Sequence, residues 1–339
     1  IFDHMIEDGY DEAVITTDLA ALMADRKGEP TYQAADLLLT NEEGQMMSWE
    51  IEVKPRGKYR RRICDFTPLK LNFSKSQLRA SGLSDHDKYK LVTHCEEERA
   101  AAEAALLKEY TAYQMYNALT PYSYRVHLLR IRYVDSKGEL PTVRRYAFLL
   151  ESTKQLEDRL GLEECEDCLG VQPDQLNREA ESMHAVFQYM IGNADFNLSM
   201  VRNLKLLGNG SSQGLIPVGY DFDFSGLVMA NYAVAASHLG QTQIGDRVFL
   251  GLQVDDATIE ATLATVESRR DELFQIIRSQ RALTGQARAE MRIYLKSFFE
   301  HLEELRAQAG TKRTYAQLRQ TAPDVVPAGA DPSDYGVRK

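Results

Sequence analysis

The sequence has no long apolar run and little cysteine. No stretch approaches 18 consecutive apolar residues, so no membrane-spanning helix is predicted. Four cysteines in 339 residues are too few for a fold held together mainly by disulfides. The chain must therefore be stabilised by a buried apolar core, for which its length is sufficient.

Positive charge is also scarce, and several catalytic motifs are missing. Lys and Arg number 40 against 50 Asp and Glu, giving a net charge of -10, which argues against nonspecific binding to nucleic acid. No G-x-x-x-x-G-K-[ST] or strand-linked G-x-G-x-x-G occurs, which weakens P-loop and dinucleotide-binding hypotheses. One G-x-S-x-G is present at residues 210–214, but it lies in the loop between two short predicted strands and not at a strand-to-helix turn, so it does not indicate a serine hydrolase. The seven histidines form neither H-x-H nor H-E-x-x-H, so no histidine metal site is expected.

The patterns that are present predict an α+β fold. Residues 12–17, 34–39, 47–53, 124–133 and 145–151 read as strands, since β-branched and apolar residues stand there between turn signals. Helical periodicity runs through 95–119, 174–192 and 256–308. These patterns predict a β-rich part with one long helix over 1–151, a helix-rich part over 152–320 and a poorly structured tail over 321–339.

Polar residues are densest between residues 191 and 226. A predicted helix ends just before Asp195, a predicted strand begins at Asn203, and a paired strand carries Asp221 and Asp223 at its end. The alternation through residues 220–224 predicts that both of these carboxylates lie on one face of a strand. Oxygen ligands of this kind suit Mg²⁺ or Mn²⁺, with Asn203 and Asp221 as ligands and Asp195 as a base for phosphoryl transfer.

The same residues have a simpler interpretation. Asp and Asn are common at helix caps and turns, so Asp195 and Asn203 can be structural and the later carboxylates solvated. Against this, two like charges side by side are unfavourable unless a cation lies between them.

Seven short segments follow one another in a characteristic order: Arg56-Gly57, Leu69-Lys-Leu-Asn-Phe73, Leu107-Lys-Glu-Tyr110, Phe148-Leu-Leu-Glu151, Asn193-Ala-Asp195, Asn203-Leu-Lys-Leu-Leu207 and Tyr220-Asp-Phe-Asp223. Together they resemble the CotH (spore-coat protein H) family of atypical protein kinases. The resemblance spans roughly residues 47 to 230. It implies a two-lobed kinase-like fold, with a β-rich N-terminal lobe, a helix-rich C-terminal lobe and an ATP site.

The resemblance also implies roles for individual residues. Lys70 is the phosphate-binding lysine, Glu109 its partner on a helix, and Glu151 ends the strand that leads to the adenine site. Asp195 is the catalytic carboxylate, and Asn203 and Asp221, with Asp223 beside them, hold Mg²⁺ or Mn²⁺. Arg56 belongs to a basic run, residues 54–62, that either faces nucleotide phosphates or an acidic substrate, or decorates a solvated strand edge.

The predicted function is ATP- and metal-dependent transfer of phosphate to a Ser or Thr hydroxyl of a protein or another acceptor. The family usually has Asp-Arg-His and an Asn about five residues after the Asp, whereas here Phe196 and Asn197 follow Asp195 and Asn203 lies eight residues on. This longer loop favours the alternative, a noncatalytic, pseudokinase-like surface or envelope binding protein.

The cysteines leave two questions open. Cys64 and Cys95 flank the predicted Lys70 strand, where either a disulfide or two thiols fit the sequence. Cys165 and Cys168 form a single C-x-x-C, which suits a disulfide or plain thiols better than a four-ligand zinc site. An extracytoplasmic or secreted location is favoured over a cytoplasmic one.

Overall fold

The computed structural model describes residues 1–210, 213–252 and 254–309. It is a mixed α+β structure, as the sequence predicts, and the chain divides into two compact units. Unit 1 consists of Ile1–Tyr110 and Tyr124–Arg159, and unit 2 consists of Thr111–Ser123 and the described residues from Leu160 onward. The predicted tail over 321–339 lies outside the described residues. A kinase fold of two lobes, with its boundary near residue 152, stays a prediction.

Unit 1 is built on seven strands that close into a barrel, in the order β1-β2-β3-β4-β5-β7-β6. The strands are β1 (Glu12–Thr17), β2 (Gln33–Thr40), β3 (Met46–Pro55), β4 (Leu69–Phe73), β5 (Lys88–Val92), β6 (Val126–Asp135) and β7 (Val143–Leu150). Neighbouring strands are antiparallel except β1 and β6, whose parallel pairing closes the barrel. Alternate side chains along β1 to β6 point inward, so apolar residues such as Val53, Leu71 and Leu91 fill the interior.

Six helices also occur in the chain up to residue 160. They are α1 (Phe2–Glu7), α2 (Leu19–Ala24), α3 (Arg60–Ile63), α4 (Lys75–Ala80), α5 (Arg99–Leu119) and α6 (Thr153–Leu160). Helix α5 belongs to unit 1 up to Tyr110 and to unit 2 from the next residue onward. The periodicity predicted α5, whereas α1 to α4 and α6 were not predicted from the sequence. Cys64 and Cys95 form a disulfide in unit 1, and Cys165 and Cys168 form a second one in unit 2.

Unit 2 combines a small antiparallel sheet with helices. Its strands are β8 (Glu163–Glu164), β9 (Leu204–Gly208) and β10 (Ile216–Gly219), in the order β10-β9-β8. Its helices are α7 (Arg178–Ile191), α8 (Asp256–Ser268), α9 (Arg270–Ser279) and α10 (Gly285–Ala309). Helix α7 begins at the cap Asn177, whose side chain accepts from Ala180 N, and ends at Gly192 in the left-handed conformation. None of the described helices is both long and apolar enough to cross a membrane.

Helix α7 carries a buried acid, Glu181, whose side chain is about 1% exposed. Its Oε1 accepts a hydrogen bond from Leu252 N at 2.9 Å, and Oε2 has no hydrogen-bond partner among the described residues. Burial raises the pKa of this carboxyl to about 7, and the bond from Leu252 N opposes the shift only in part. Glu181 therefore carries a proton in the folded protein over a pH range where the unfolded chain has lost it.

Stability should consequently fall as the pH rises. Because the folded pKa of Glu181 lies above the unfolded value near 4.5, its contribution is fully present below about pH 4.5 and is lost as the pH passes about 7. The loss amounts to about 3 kcal/mol, and Glu181→Gln should remove this pH dependence. Urea unfolding of both proteins between pH 4.5 and 8 measures it, with Glu179→Gln, at an exposed position of α7, as the control. An equal slope in wild type and Glu181→Gln would contradict this account.

Candidate functional site

The site in unit 2 forms at one end of the β9–β10 hairpin. Asn203 directly precedes β9, Tyr220 directly follows β10, and Tyr220 N donates to Asn203 O at 2.9 Å. The strand predicted through residues 220–224 is wrong, because β10 ends at Gly219 and Asp221 has a φ of +66°. A left-handed residue cannot continue a strand, so the acidic segment leaves the sheet as a loop.

Asp195 lies in the loop after α7 and is held by three neighbours. Asn203 Nδ2 donates to Asp195 Oδ2 at 2.9 Å and to its carbonyl oxygen at 2.6 Å. The Arg202 guanidinium contacts Asp195 Oδ1 at 2.9 Å. Asp195 N donates to Asn193 Oδ1 at 2.9 Å. Both side-chain oxygens of Asp195, its main-chain N–H and its carbonyl oxygen therefore each have a hydrogen-bond or ion-pair partner. One third of the side chain remains exposed.

The electrostatic surroundings of Asp195 oppose its ionisation. Partial burial raises the pKa of its carboxyl above the usual value, and the negative charge of Asp221 raises it further. The Arg202 guanidinium and the hydrogen bond from Asn203 lower this pKa and offset the rise in part. A carboxylate whose pKa is moved toward neutrality suits a general base.

Asp221 and Asp223 form a pair of carboxylates in the loop after β10. An oxygen of one lies within 4.8 Å of an oxygen of the other. Tyr113 Oη accepts from Asp221 N at 2.8 Å, and Tyr232 Oη donates to Asp223 Oδ2 at 3.0 Å. Asp223 is only 3% exposed, so two negative groups lie close together with limited access to solvent, an arrangement that favours a cation.

Backbone strain is concentrated around the same residues. Val201, Asn203 and Asp221 have φ values of +48°, +55° and +66°, in the left-handed region that favours glycine. Such a conformation costs about 1–3 kcal/mol for a residue with a side chain, and it is least favourable for a β-branched one such as Val201. The bridge between Asn197 and Arg202 closes the tight turn that contains Val201. Strain of this kind is typical of functional loops.

In unit 1, Lys70 stands in the middle of a row of lysines on the barrel. Lys54 pairs with Lys70 across β3 and β4, and Lys70 pairs with Lys90 across β4 and β5. All three side chains are half-buried, on the face opposite to the apolar interior. Desolvation and the charges of Lys54, Lys88 and Arg56 lower the pKa of Lys70. Directly opposed like charges destabilise a sheet, so this row favours an anion.

The two glutamates of unit 1 that the sequence analysis selected are paired with arginines. Glu109 contacts Arg60 at 3.6 Å, and its implied role as the partner of Lys70 stays a prediction. Glu151 is fully buried, with Arg125 at 2.7 Å and Arg159 at 3.0 Å from its carboxylate oxygens. Its carboxylate is thus occupied by two guanidinium groups.

Sequence reasoning missed several residues of both sites. Arg202 precedes the selected Asn203, and its charge was a signal that could have been used. Lys54 begins the basic run 54–62, but its alignment with Lys70, like that of Lys90, depends on strand pairing and has no local signal. Tyr113 lies 108 residues before Asp221, whose main-chain N–H it accepts, so no local signal connects the two. Tyr232 lies nine residues after Asp223, and its contact with that carboxylate depends on the path of the loop.

Comparison with known proteins gives few matches. No protein-family model matches the chain, and no curated protein sequence matches it. Among solved structures, the Helicobacter pylori proinflammatory kinase CtkA is similar, with a TM-score of 0.41 and 10% sequence identity over 80% of this chain and 95% of that chain. The chain therefore has a kinase among its structural neighbours, and no family is assigned by this likeness.

Proposed function

We propose that this protein is an atypical kinase of the CotH type, which transfers phosphate from ATP to a Ser or Thr hydroxyl with the help of Mg²⁺ or Mn²⁺. The observation that carries the proposal is the arrangement around Asp195. Asn203 and Arg202 orient its carboxylate, and the negative charge of Asp221 raises its pKa. Asp221 in turn lies close to Asp223, so that the two carboxylates form a pair. One base beside a pair of metal-binding carboxylates is what phosphoryl transfer requires of a protein.

Asp195 acts as the base in this proposal. One of its carboxylate oxygens accepts the proton of the attacking hydroxyl, for which the raised pKa makes it better suited than an ordinary aspartate. Asn203 and Arg202 fix the direction of the carboxylate, and the positive charge of Arg202 favours its ionised form. The partial exposure of Asp195 leaves room for an acceptor.

The donor set fits a hard divalent cation. Asp221 and Asp223 supply carboxylate oxygens, and Asn203 uses its Nδ2 for Asp195, which leaves Oδ1 as its ligand atom. Mg²⁺ and Mn²⁺ prefer such oxygen ligands and are commonly held by one or two carboxylates together with substrate phosphates. When bound, the ion supplies positive charge to the phosphate oxygens.

The lysine row is the phosphate-binding feature proposed for unit 1. Lys70 is its central member, Lys54 and Lys90 extend it, and Arg56 adds to the local positive potential. An anionic phosphate chain relieves the repulsion within this row. Glu151 serves here as a buried anchor for two arginines, and we assign the adenine to main-chain groups near it rather than to its carboxylate.

Two measurements test the proposal. Wild-type protein should be stabilised by ATP in the presence of Mn²⁺, and it should phosphorylate itself or a Ser/Thr peptide. Asp195→Asn should bind the nucleotide yet lose at least about a hundredfold in rate, because it lacks a base. Asp221→Asn should lose Mn²⁺-dependent binding. Asp174→Asn, at an exposed acidic position of unit 2, is the matched control and should behave like wild type.

The alternative of a noncatalytic binding protein predicts a different outcome. Stabilisation by ATP and Mn²⁺ without any phosphate transfer would favour it, because Arg202 and Asn203 already occupy the Asp195 carboxylate. If ATP and Mn²⁺ do not stabilise the protein and no phosphate is transferred, the kinase proposal is overturned.

We also propose that the protein works outside the cytoplasm. Both cysteine pairs are disulfide-bonded, and structural disulfides persist mainly in oxidising compartments. Thiols that react with an alkylating agent in protein freshly extracted from its native cells would contradict this location.

A further inference from the structure

A chain of buried amide and imidazole groups runs from helix α7 to the main chain of Asp195. Asn193 Nδ2 donates to Gln188 Oε1 at 2.9 Å, and Asn193 Oδ1 accepts from Asp195 N at 2.9 Å. Gln188 Nε2 faces His184 Nε2 at 3.5 Å, and His184 Nδ1 faces Tyr116 Oη at 3.2 Å. His184, Gln188 and Asn193 are at most 1% exposed. The relay is defined by these residues, and none of them has a role in the proposed chemistry.

The orientation of every group in the relay follows from one obligatory donor. Asp195 N–H can only donate, so Asn193 must present Oδ1 to it and Nδ2 to Gln188. Gln188 must then present Oε1 to Asn193 and Nε2 to His184. The His184 Nε2 atom is therefore an acceptor, and the ring proton lies on Nδ1, where it donates to Tyr116 Oη. Burial lowers the pKa of His184 to about 3, so the ring stays neutral and keeps this tautomer.

The relay also joins the loop of Asp195 to the loop of the carboxylate pair. Asn193 forms an antiparallel bridge with Ser225, two residues after Asp223. Gly226 N donates to Gly192 O at 3.1 Å, and Leu227 N donates to Ile191 O at 2.9 Å. A Cβ at Gly192 would lie 1.9 Å from Tyr294 Oη, so this crossing leaves no room for a side chain. Asn193 is the point where helix α7 and both acidic loops meet.

We propose that the His184–Gln188–Asn193 relay positions Asp195 for catalysis. The three residues are positioning residues, because the relay reaches Asp195 only through its main-chain N–H. This inference rests on the kinase activity proposed above. Fixing the main chain fixes where the carboxylate lies relative to Asp221 and Asp223. A displacement of about 1 Å at a catalytic group can lower a rate by roughly a hundredfold, so a buried relay has a large effect on turnover.

The tautomer of His184 tests the relay in the wild-type protein. Nitrogen chemical shifts of the histidine ring should show a neutral imidazole with its proton on Nδ1 across the range of pH 5 to 8. A proton on Nε2 would overturn the proposal, because Gln188 Nε2 and His184 Nε2 would then both be donors and the relay would be broken between them. This measurement needs neither a variant nor enzymatic activity.

Variants at Gln188 test the effect on Asp195. Gln188→Met keeps the volume but removes the acceptor of Asn193 Nδ2, so hydrogen exchange at Asp195 N–H should become about five to ten times faster. The value of kcat should fall at least about tenfold, and KM for ATP should stay within about twofold. Gln188→Glu, assayed near pH 6, should have the wild-type exchange rate at Asp195 N–H and the wild-type kcat. A buried carboxyl keeps its proton at this pH and presents one acceptor and one donor, as the amide does.

The control lies on the same helix outside the relay. Ser182 is buried and its Oγ meets Thr262 Oγ1 at 2.8 Å, so Ser182→Ala removes a buried hydrogen bond from α7 without touching Asn193. Exchange at Asp195 N–H should stay within twofold of wild type in this variant. Equal exchange in Gln188→Met and Ser182→Ala would overturn the proposal. If the wild-type protein has no phosphotransferase activity, the kinase assignment is refuted but the relay is not. The hydrogen exchange and tautomer measurements decide whether the relay exists without any need for activity.

Discussion

Replacing Phe222 with alanine is expected to lower the free energy of unfolding by about 4 kcal/mol. The Phe222 ring is fully buried between Asp221 and Asp223. Its centroid lies 4.6 Å from that of Tyr113, 5.3 Å from that of Phe187 and 6.0 Å from that of Tyr116. Alanine would leave a cavity among three aromatic rings that have little freedom to close it. Urea unfolding measures the loss.

The same substitution should weaken the binding of Mn²⁺. Phe222 anchors the loop between the paired carboxylates, so without the ring Asp221 and Asp223 lose their fixed separation. Phe222→Leu keeps most of the apolar volume and should retain binding at a stability loss of about 1–1.5 kcal/mol. Phe249→Ala removes an equally buried ring elsewhere in unit 2 and should lower stability while leaving Mn²⁺ affinity unchanged. Similar Mn²⁺ affinities for Phe222→Ala and Phe249→Ala, measured by calorimetry, would refute the anchoring role.

Much of the secondary structure follows from local pattern. Strand β1 was predicted over residues 12–17 and occupies Glu12–Thr17, because the segment is rich in β-branched residues, which favour extended backbone. Helix α5 was predicted over 95–119 and occupies Arg99–Leu119, since its apolar residues recur with helical spacing. Both predictions needed only neighbours in sequence.

The closure of the barrel could not be predicted in this way. It depends on the parallel pairing of β1 with β6, in which Glu12 meets Arg130 and Ile15 meets Tyr133. More than a hundred residues separate these partners, and no residue type in either strand specifies the other. The lysine row has the same origin, because three strands must be in register before Lys54, Lys70 and Lys90 align.

The site in unit 2 was predictable to the extent that it depends on adjacent segments. A hairpin brings the start of β9 and the end of β10 together, so Asn203 and Asp221 had to lie at the same end. The alternation of residues 220–224 nevertheless predicted a strand that does not form, because Asp221 is left-handed. The reason lies in tertiary structure, since Tyr113 Oη accepts from Asp221 N and Phe222 is drawn into the aromatic cluster.

The disulfide between Cys64 and Cys95 should contribute about 4 kcal/mol to the stability of unit 1. Its cysteines are 31 residues apart in sequence, and a bond that closes so long a loop removes many conformations from the unfolded chain. The bond is also integrated into the fold, because Cys95 O accepts from Asp65 N at 2.8 Å. Cys64→Ala/Cys95→Ala, compared with wild type by urea unfolding without reductant, measures the contribution.

The second disulfide provides a control within the same chain. Cys165 and Cys168 are only three residues apart, so their bond constrains the unfolded chain much less, and Cys165→Ala/Cys168→Ala should lower stability by about half as much. Access to reductant should follow exposure: Cys64 and Cys95 are 1% and 5% exposed, whereas Cys165 and Cys168 are half-buried. A thiol reductant should therefore open Cys165–Cys168 first, with unit 1 remaining folded, and mass spectrometry after alkylation gives the order. Earlier reduction of Cys64–Cys95, or equal losses in the two double variants, would mean that loop length and burial do not control these bonds.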